Sequence, residues 1–234
     1  MGNILEIKNL SVHYGKYCAI NNISLDIPKG KIIGLLGPNS SGKTTLIKAI
    51  MGLLNSYTGD IRIAGEKPGY EANKHISYMP DVRHIPKWFT PSQAIGLFAD
   101  FYEDFDKEKA QEMLHSMGLP TDKKLSHLSR GTQDKIQLAL VMSRNARIYI
   151  LDEPLGAVDP ASREFIINTI LKNFPEDSSI FMSTHIIADV EPILDKALFL
   201  RRGQIVIHED ADTIREERNM SLDRLFKEVY RHVY

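Results

Sequence analysis

The chain has 234 residues, of which 43% are hydrophobic and 25% are charged, as in a soluble globular protein with one large domain or two small ones. Its 29 Lys and Arg residues almost balance its 30 Asp and Glu residues, which excludes a strongly basic nucleic-acid-binding protein, so we expect no nucleic-acid partner. The single cysteine, Cys18, excludes a disulfide within the chain, and the N-terminus lacks the pattern of a signal peptide.

The first eighty residues predict strands around one helix. Two alternating segments within residues 4–27 predict two strands that flank a polar turn. The run "KIIGLLG" is continuously apolar, which is typical of a strand buried on both faces of a parallel sheet, and the following "TTLIKAIMGLL" predicts a helix. Residues 58–79 contain two more predicted strands, "GDIRIAG" and "HISYM".

Residues 90–126 predict a helical insert. Thr90 followed by Pro91 indicates a helix start, because threonine can cap the helix and proline fits its first position. One face of this helix carries Ala94, Ile95, Phe98, Phe101 and Tyr102. Asp106 can cap a second helix that ends at Gly118 and has the apolar face Ala110, Met113, Leu114 and Met117.

Strands and helices alternate after the insert, which predicts an α/β fold with a parallel sheet. The strand patterns are "RIYILDE" and "SSIFMSTH", the helix patterns are "ASREFIINTILKNF" and "ADVEPILD", and a strand hairpin surrounds Gly203. The segment 221–234 predicts an amphipathic helix with a Ser221 cap and the apolar face Leu222, Leu225, Phe226, Val229, Tyr230 and Val233. We expect this helix to pack on its own domain, with partner binding as the alternative.

The segment "GPNSSGKTT" matches the phosphate-loop pattern G-x-x-x-x-G-K-[ST] between a predicted strand and a predicted helix. Glycines let backbone N–H groups surround anionic oxygens, and the helix N-terminus adds a favourable dipole. In this pattern Lys43 reaches the β- and γ-phosphates, and the Thr44 hydroxyl is a ligand for Mg²⁺. The predicted nucleotide cradle consists of Gly37, Pro38, Asn39, Ser40, Ser41, Gly42, Lys43, Thr44 and Thr45.

Two acidic residues follow the predicted buried strand "RIYIL". Alone, such a pair is typical of a solvated turn, but after a phosphate loop Asp152 is placed to hold Mg²⁺ through water. Glu153 is then the candidate that polarises the attacking water. A lone histidine is more often structural than catalytic, but His185 ends another predicted parallel strand, at the edge where α/β sheets bind ligands. There it could contact a terminal phosphate or position that water. We therefore predict Lys43, Glu153 and His185 as the catalytic residues.

A further turn, "LSRGT", opens a predicted helix shortly before the strand that ends in Asp-Glu. By itself it is also compatible with a capped helix that binds nothing. Together, these motifs resemble in order and spacing those of the ATP-binding subunit of an ABC transporter, over nearly the whole chain. "IYILDE" is similar to the second Walker motif, "LSRGT" to the signature Leu-Ser-Gly-Gly-Gln, and "GAVD" to the D-loop.

The resemblance implies a P-loop NTPase core with a mainly parallel sheet, an N-terminal antiparallel β-subdomain and an inserted helical subdomain at about residues 82–135. The ATPase domain would then span residues 1–220 and the C-terminal helix residues 221–234. ATP and Mg²⁺ are the implied ligands, with Tyr14 stacked on adenine unless it is merely a strand-edge tyrosine. Asp159 takes the aspartate position of the D-loop, and His185 takes that of the switch histidine.

The resemblance also implies a head-to-tail pair of subunits, in which the signature of one covers the ATP held by the other. The signature positions are Ser129, Arg130, Gly131 and Thr132, where Arg130 and Thr132 replace the first Gly and the Gln of the family pattern. A larger departure is Asp81, which stands at the position of the glutamine that usually senses Mg²⁺. Subunits that resemble bacterial antibiotic or peptide exporters often carry an acidic residue there, which favours export.

We therefore expect a cytoplasmic ATPase subunit that lies on the inner face of the cell membrane and powers transport through separate membrane-spanning permease subunits. Its partner is a second ATP-binding subunit, either another copy or a related chain. The alternatives are a non-transport ABC-type ATPase in DNA repair or translation, a P-loop phosphotransferase, and a regulatory module without turnover.

Overall fold

The computed structural model describes residues 2–156 and 158–231, with only the backbone described at Ala161. Val233 of the predicted C-terminal helix and Ala157 of the "GAVD" segment lie outside the described residues. Within the described part, the strands are β1 (Asn3–Tyr14), β2 (Tyr17–Pro28), β3 (Ile32–Leu36), β4 (Thr58–Ile63), β5 (Ile76–Met79), β6 (Ile148–Asp152), β7 (Ser179–Thr184), β8 (Lys196–Arg201) and β9 (Gln204–Asp210).

The strands form two sheets of different kinds. The first is antiparallel, in the order β2-β1-β4, and comes from the alternating N-terminal segments. The second has the order β5-β6-β7-β3-β8-β9, and its strands are parallel except for β9, which pairs antiparallel with β8. The predicted α/β fold, with a mainly parallel sheet and an N-terminal antiparallel sheet, is confirmed.

The parallel sheet is covered on both faces, which is why its central strands are continuously apolar. Every residue of β3, β6 and β7 is buried. On one face, the strands pack against α1 (Lys43–Ile50) and the antiparallel sheet. The other face packs against the helices of residues 91–142 and 160–229, and the burial of apolar surface on both faces stabilises this layered arrangement.

Helices occupy the segments where the sequence predicts them, with two additions. After α1, the helices are α2 (Tyr70–Asn73), α3 (Pro91–Phe101), α4 (Lys107–Ser116), α5 (Arg130–Met142), α6 (Pro160–Asn173), α7 (Ile187–Val190), α8 (Ala211–Glu217) and α9 (Leu222–Val229). Sequence periodicity missed α2 because it has only four residues, and α8 because it buries only two residues. The Thr90, Asp106 and Ser221 side chains cap their helices as predicted.

One helix of the prediction differs in the structure. The segment "ADVEPILD" contains the four-residue α7 and a 3₁₀ turn at Glu191–Ile193 instead of one helix, because Pro192 has no N–H to continue the ladder. The expected subdomain limit at residue 135 falls inside α5, which packs against α3 and α4 as well as against β5. Among the described residues, no helix is both long and apolar enough to cross a bilayer.

Candidate active site

The predicted phosphate loop connects β3 to α1. Ser40 and Gly42 have left-handed backbones, with φ of 65° and 112°. A Cβ atom at Gly37 would lie 2.6 Å from the Leu200 carbonyl oxygen, so this position has room only for glycine. No described side chain caps the N-terminus of α1, which leaves its first N–H groups available to an anion.

The Lys43 side chain is buried and lies between its own loop and a carboxylate. Its Nζ donates hydrogen bonds to the carbonyl oxygens of Gly37 at 2.7 Å and Pro38 at 3.3 Å. The same Nζ lies 3.2 Å from Oε1 of Glu153. A phosphate oxygen that binds Lys43 would therefore compete with Glu153 for the ammonium group.

Glu153 is held at the end of β6 in an unusual backbone conformation. Its φ is 51°, in the left-handed region, which costs a glutamate about 1–3 kcal/mol. Its N–H donates to both the carbonyl and the hydroxyl oxygen of Ser183, at 3.1 and 3.0 Å. Oε2 of Glu153 lies 2.9 Å from Nδ1 of His185, which follows β7. The parallel ends of β6 and β7 thus bring Glu153 and His185 together.

Asp152 has the properties of a metal ligand. It is 1% exposed, and its Oδ1 accepts a hydrogen bond from the Ser183 hydroxyl, whereas its buried Oδ2 has no hydrogen-bond partner. Burial raises the pKa of Asp152, and the hydrogen bond from Ser183 and the nearby Thr44 hydroxyl oppose this rise only in part. The unpartnered oxygen beside the Thr44 hydroxyl fits Mg²⁺, which is bound through few protein oxygens together with water and phosphate.

The phosphate loop opens into a cavity of about 370 Å³. Glu153 and Asp81 are among its lining residues, and the tip of the β1–β2 hairpin contributes Tyr14 and Tyr17. Tyr14 is 48% exposed and Tyr17 59%, so both rings are accessible to a ligand. Sequence reasoning missed Tyr17. Its signal is the two-residue turn, which makes Tyr14 and Tyr17 cross-strand neighbours.

The turn "LSRGT" lies away from this cavity. The Ser129 hydroxyl accepts a hydrogen bond from the Thr132 N–H at 3.2 Å. It forms a second hydrogen bond with the Thr132 hydroxyl at 2.8 Å, in which either group can be the donor. Ser129 and Arg130 are exposed, and among the described residues the signature positions 129–132 contribute nothing to the cavity lining. The structure therefore does not bring these residues to the phosphate loop of their own chain.

Asp159, the predicted D-loop residue, caps α6. Its Oδ1 accepts the N–H of Ser162 at 3.1 Å, and the hydrogen bond from Ser162 lowers the pKa of Asp159. The residue is not part of the lining of the phosphate-loop cavity within the described chain. Asp159 therefore resembles Ser129 in two ways: both residues cap a helix, and neither lines the phosphate-loop cavity.

Asp81 follows β5 and lines two cavities, the one at the phosphate loop and a neighbouring one of about 580 Å³. Its segment is attached to α5 on both sides. Gln137 Nε2 donates to the Pro80 carbonyl at 3.0 Å, and Arg83 forms an ion pair with Asp134 at 2.7 Å. Sequence reasoning missed this link, because the pairs are about fifty residues apart in the chain and no local pattern shows them.

A protein-family model described as "ABC transporter" matches residues 20–156, more than half of the chain. The chain belongs to the ABC transporter family. It is 30% identical over 209 residues to the SkfA peptide export ATP-binding protein SkfE of Bacillus subtilis, with 87% of each chain covered. It is 32% identical over 214 residues to the manganese transport system ATP-binding protein MntB of the same organism, with 86% of this chain and 84% of that protein covered.

A solved structure described as the ATP-binding subunit of an ABC transporter has the same fold. The two chains superpose with a TM-score of 0.87 and 26% identity, with coverage of 97% of this chain and 99% of the other. The chain is thus an ABC ATPase, and proteins of this family bind nucleotide and work as dimers with membrane permeases. Within this ABC ATPase, the phosphate loop, Asp152, Glu153 and His185 form one cluster, whereas the turn at Ser129 is separate.

Proposed function

We propose that this chain hydrolyses ATP at the cluster of Lys43, Glu153 and His185 and thereby powers an exporter through separate membrane-spanning subunits. The observation that supports this proposal is the Glu153 carboxylate, held between Lys43 Nζ at 3.2 Å and His185 Nδ1 at 2.9 Å. When ATP occupies the loop, its phosphate oxygens replace Glu153 as the partner of Lys43. The Glu153 carboxylate is then available to contact the attacking water. A carboxylate positioned in this way is a general base.

The remaining residues of the site would bind and orient the nucleotide. The loop N–H groups and Lys43 hold the β- and γ-phosphates, and Tyr14 and Tyr17 offer aromatic faces to the adenine ring. His185 keeps Glu153 oriented. Thr44 and Asp152 would hold Mg²⁺, which neutralises charge on the phosphates when bound.

The signature residues Ser129, Arg130, Gly131 and Thr132, with Asp159, would act on the ATP of a partner subunit, either a second copy or a related chain. Two features support this proposal: the exposure of Ser129, Arg130 and Asp159, and the absence of all five residues from the lining of the cavity in their own described chain. Ser129 offers a hydroxyl at the N-terminus of the thirteen-residue helix α5, whose dipole favours a phosphate. ATP bound between two such surfaces would join the subunits until hydrolysis.

Export is proposed from Asp81 and from the similarity to the peptide-export protein. The similarity to a manganese transport protein keeps manganese uptake as the second candidate. In either case the chain would lie on the cytoplasmic face of the membrane through its permease.

The test is Glu153→Gln, which preserves size and removes the base. We expect turnover of the purified protein to fall by about 10²–10⁴-fold while ATP binding persists, because a positioned general base contributes that factor. Glu164→Gln, at an exposed position of α6, is the matched control and should hydrolyse ATP like wild type. Wild-type turnover in Glu153→Gln would refute the assignment.

Transport direction is tested in cells that express either variant. Export predicts equal manganese accumulation in wild type and Glu153→Gln. A higher manganese content that depends on Glu153 would contradict export and assign uptake.

A further inference from the structure

The residue that follows the C-terminal helix α9 lies close to the strand that precedes the phosphate loop. Tyr230 directly follows α9 and is 2% exposed. Its hydroxyl donates a hydrogen bond to the Leu200 carbonyl oxygen at 2.9 Å and lies 3.4 Å from the carbonyl oxygen of Leu36, the last residue of β3. Because Gly37 follows Leu36, one buried hydroxyl lies at the point where the phosphate loop begins.

The Leu200 carbonyl is itself in contact with the loop. It is the oxygen that lies 2.6 Å from the Cβ position at Gly37, and the Leu200 side chain lies 3.5 Å from the Cβ position at Gly42. The turn after β8 donates the Gly203 N–H to the Ser41 carbonyl at 2.9 Å. The end of β8 therefore borders the loop at several points, and its position determines how the loop can lie.

Aromatic packing fixes the Tyr230 ring. The ring centroid lies 4.4 Å from that of Phe226 on α9 and 6.2 Å from that of Phe199 on β8. The hydroxyl of a tyrosine keeps its proton at neutral pH, and burial raises the pKa of Tyr230 further, so this hydroxyl is a donor. The hydroxyl is thus held in a single direction, toward the ends of β3 and β8.

We propose that Tyr230 is a positioning residue for ATP binding: its hydroxyl joins the ends of β3 and β8 and so keeps the phosphate loop in the geometry that accepts phosphates. The proposal rests on ATP binding at this loop. Tyr230 touches none of Lys43, Glu153 and His185, so it affects nucleotide affinity and leaves the chemical step alone. The C-terminal helix thereby supports the nucleotide site through Tyr230, although it does not line the site.

Tyr230→Phe tests the proposal, because it keeps the ring and removes only the hydroxyl. We expect the KM for ATP to rise about threefold to tenfold with kcat nearly unchanged, which corresponds to the net effect of one hydrogen bond. In hydrogen exchange without nucleotide, the amides of residues 37–43 should exchange faster. Both measurements are made well below the unfolding temperature of the variant.

Ile214→Val is the matched control. Ile214 is fully buried in α8, and this substitution costs stability comparable to that of a lost hydrogen bond, away from the loop. It should lower the Tm without changing the KM for ATP or the exchange of residues 37–43.

Three results would overturn the proposal. They are an unchanged KM in Tyr230→Phe, an equal rise in KM in Ile214→Val, and a fall in kcat at constant KM. Absence of ATP binding by the wild-type chain would instead refute the loop assignment on which the proposal rests.

Discussion

The edge of the parallel sheet at β6 and β7 and the turn at Ser129 both carry polar side chains. The two regions differ in where these side chains find their contacts. At the sheet edge, Glu153 contacts both Lys43 and His185, although the three residues are far apart in the chain. At the turn, the Ser129 side chain is exposed, and its hydrogen bonds within the described residues go to Thr132, three residues away. The fold of one chain assembles the first region, whereas the second presents groups that this chain does not use. This difference is what a composite site between two subunits requires.

The largest effect on turnover is expected in a mixed dimer, which tests whether the turn acts on the partner's ATP. Lys43→Ala and Ser129→Arg should each lower turnover by about 10²-fold or more as pure proteins, because each removes a group that stabilises transferring phosphate. Their mixture should recover turnover above either parent, since one of its two sites combines an intact loop with an intact turn. Turnover is measured at constant total protein.

The control for the turn is the equivalent cap on α4. Asp106 accepts the N–H of Lys109 at 2.8 Å, so Asp106→Arg loses a cap of the same kind without changing the signature. It should lower stability by about 1 kcal/mol and leave turnover intact. If the mixture of Lys43→Ala and Ser129→Arg recovers no turnover, the turn serves its own chain, and the composite site between two subunits is refuted.

An intermediate effect is expected at the aromatic hairpin. Tyr14→Ala should weaken ATP binding about 5-fold to 150-fold by calorimetry, by analogy with the roughly 1–3 kcal/mol of base stacking on aromatic side chains. Tyr17→Ala should weaken it less, because Tyr17 is the more exposed ring. Neither change should affect binding of tripolyphosphate, which has no base.

Tyr70→Ala is the control for the hairpin, because Tyr70 is 78% exposed and lies on α2, outside the phosphate-loop cavity. It should bind ATP like wild type. Equal losses for ATP and tripolyphosphate in Tyr14→Ala would mean that the hairpin supports the loop and does not contact adenine.

The smallest effect is expected at Asp81, whose segment contacts α5, the helix that begins at the turn. Asp81→Asn should raise the Mg²⁺ concentration for half-maximal turnover about threefold to fivefold, since one carboxylate charge near the metal contributes about 1 kcal/mol in a wet site. ATP binding without metal should stay the same. Asp177→Asn, at an exposed loop position, is the control. If Mg²⁺ dependence is unchanged and transport stays coupled to hydrolysis, Asp81 is a loop residue without a role in the mechanism.

The sequence predicted local features well where the physics is local. The cap at Thr90 needs only Gln93 and Pro91 nearby, and the buried runs of β3, β6 and β7 are visible because both of their faces are apolar. The phosphate loop is likewise a continuous segment, whose glycine requirement the collision at Gly37 explains. Short elements such as α2 fell below the length at which periodicity is informative.

From the sequence alone came the α/β fold, the phosphate loop and the candidates Asp152, Glu153 and His185, because each depends on the order of neighbouring residues. Only the tertiary structure decided that Glu153 lies between Lys43 and His185. Which strands are neighbours in a parallel sheet depends on the pairing of distant segments, and the sequence of a single strand does not reveal it. The contacts of Gln137 with Pro80 and of Tyr230 with Leu200 are of the same kind. They join distant segments through single hydrogen bonds, and a single hydrogen bond leaves no periodic pattern in the sequence.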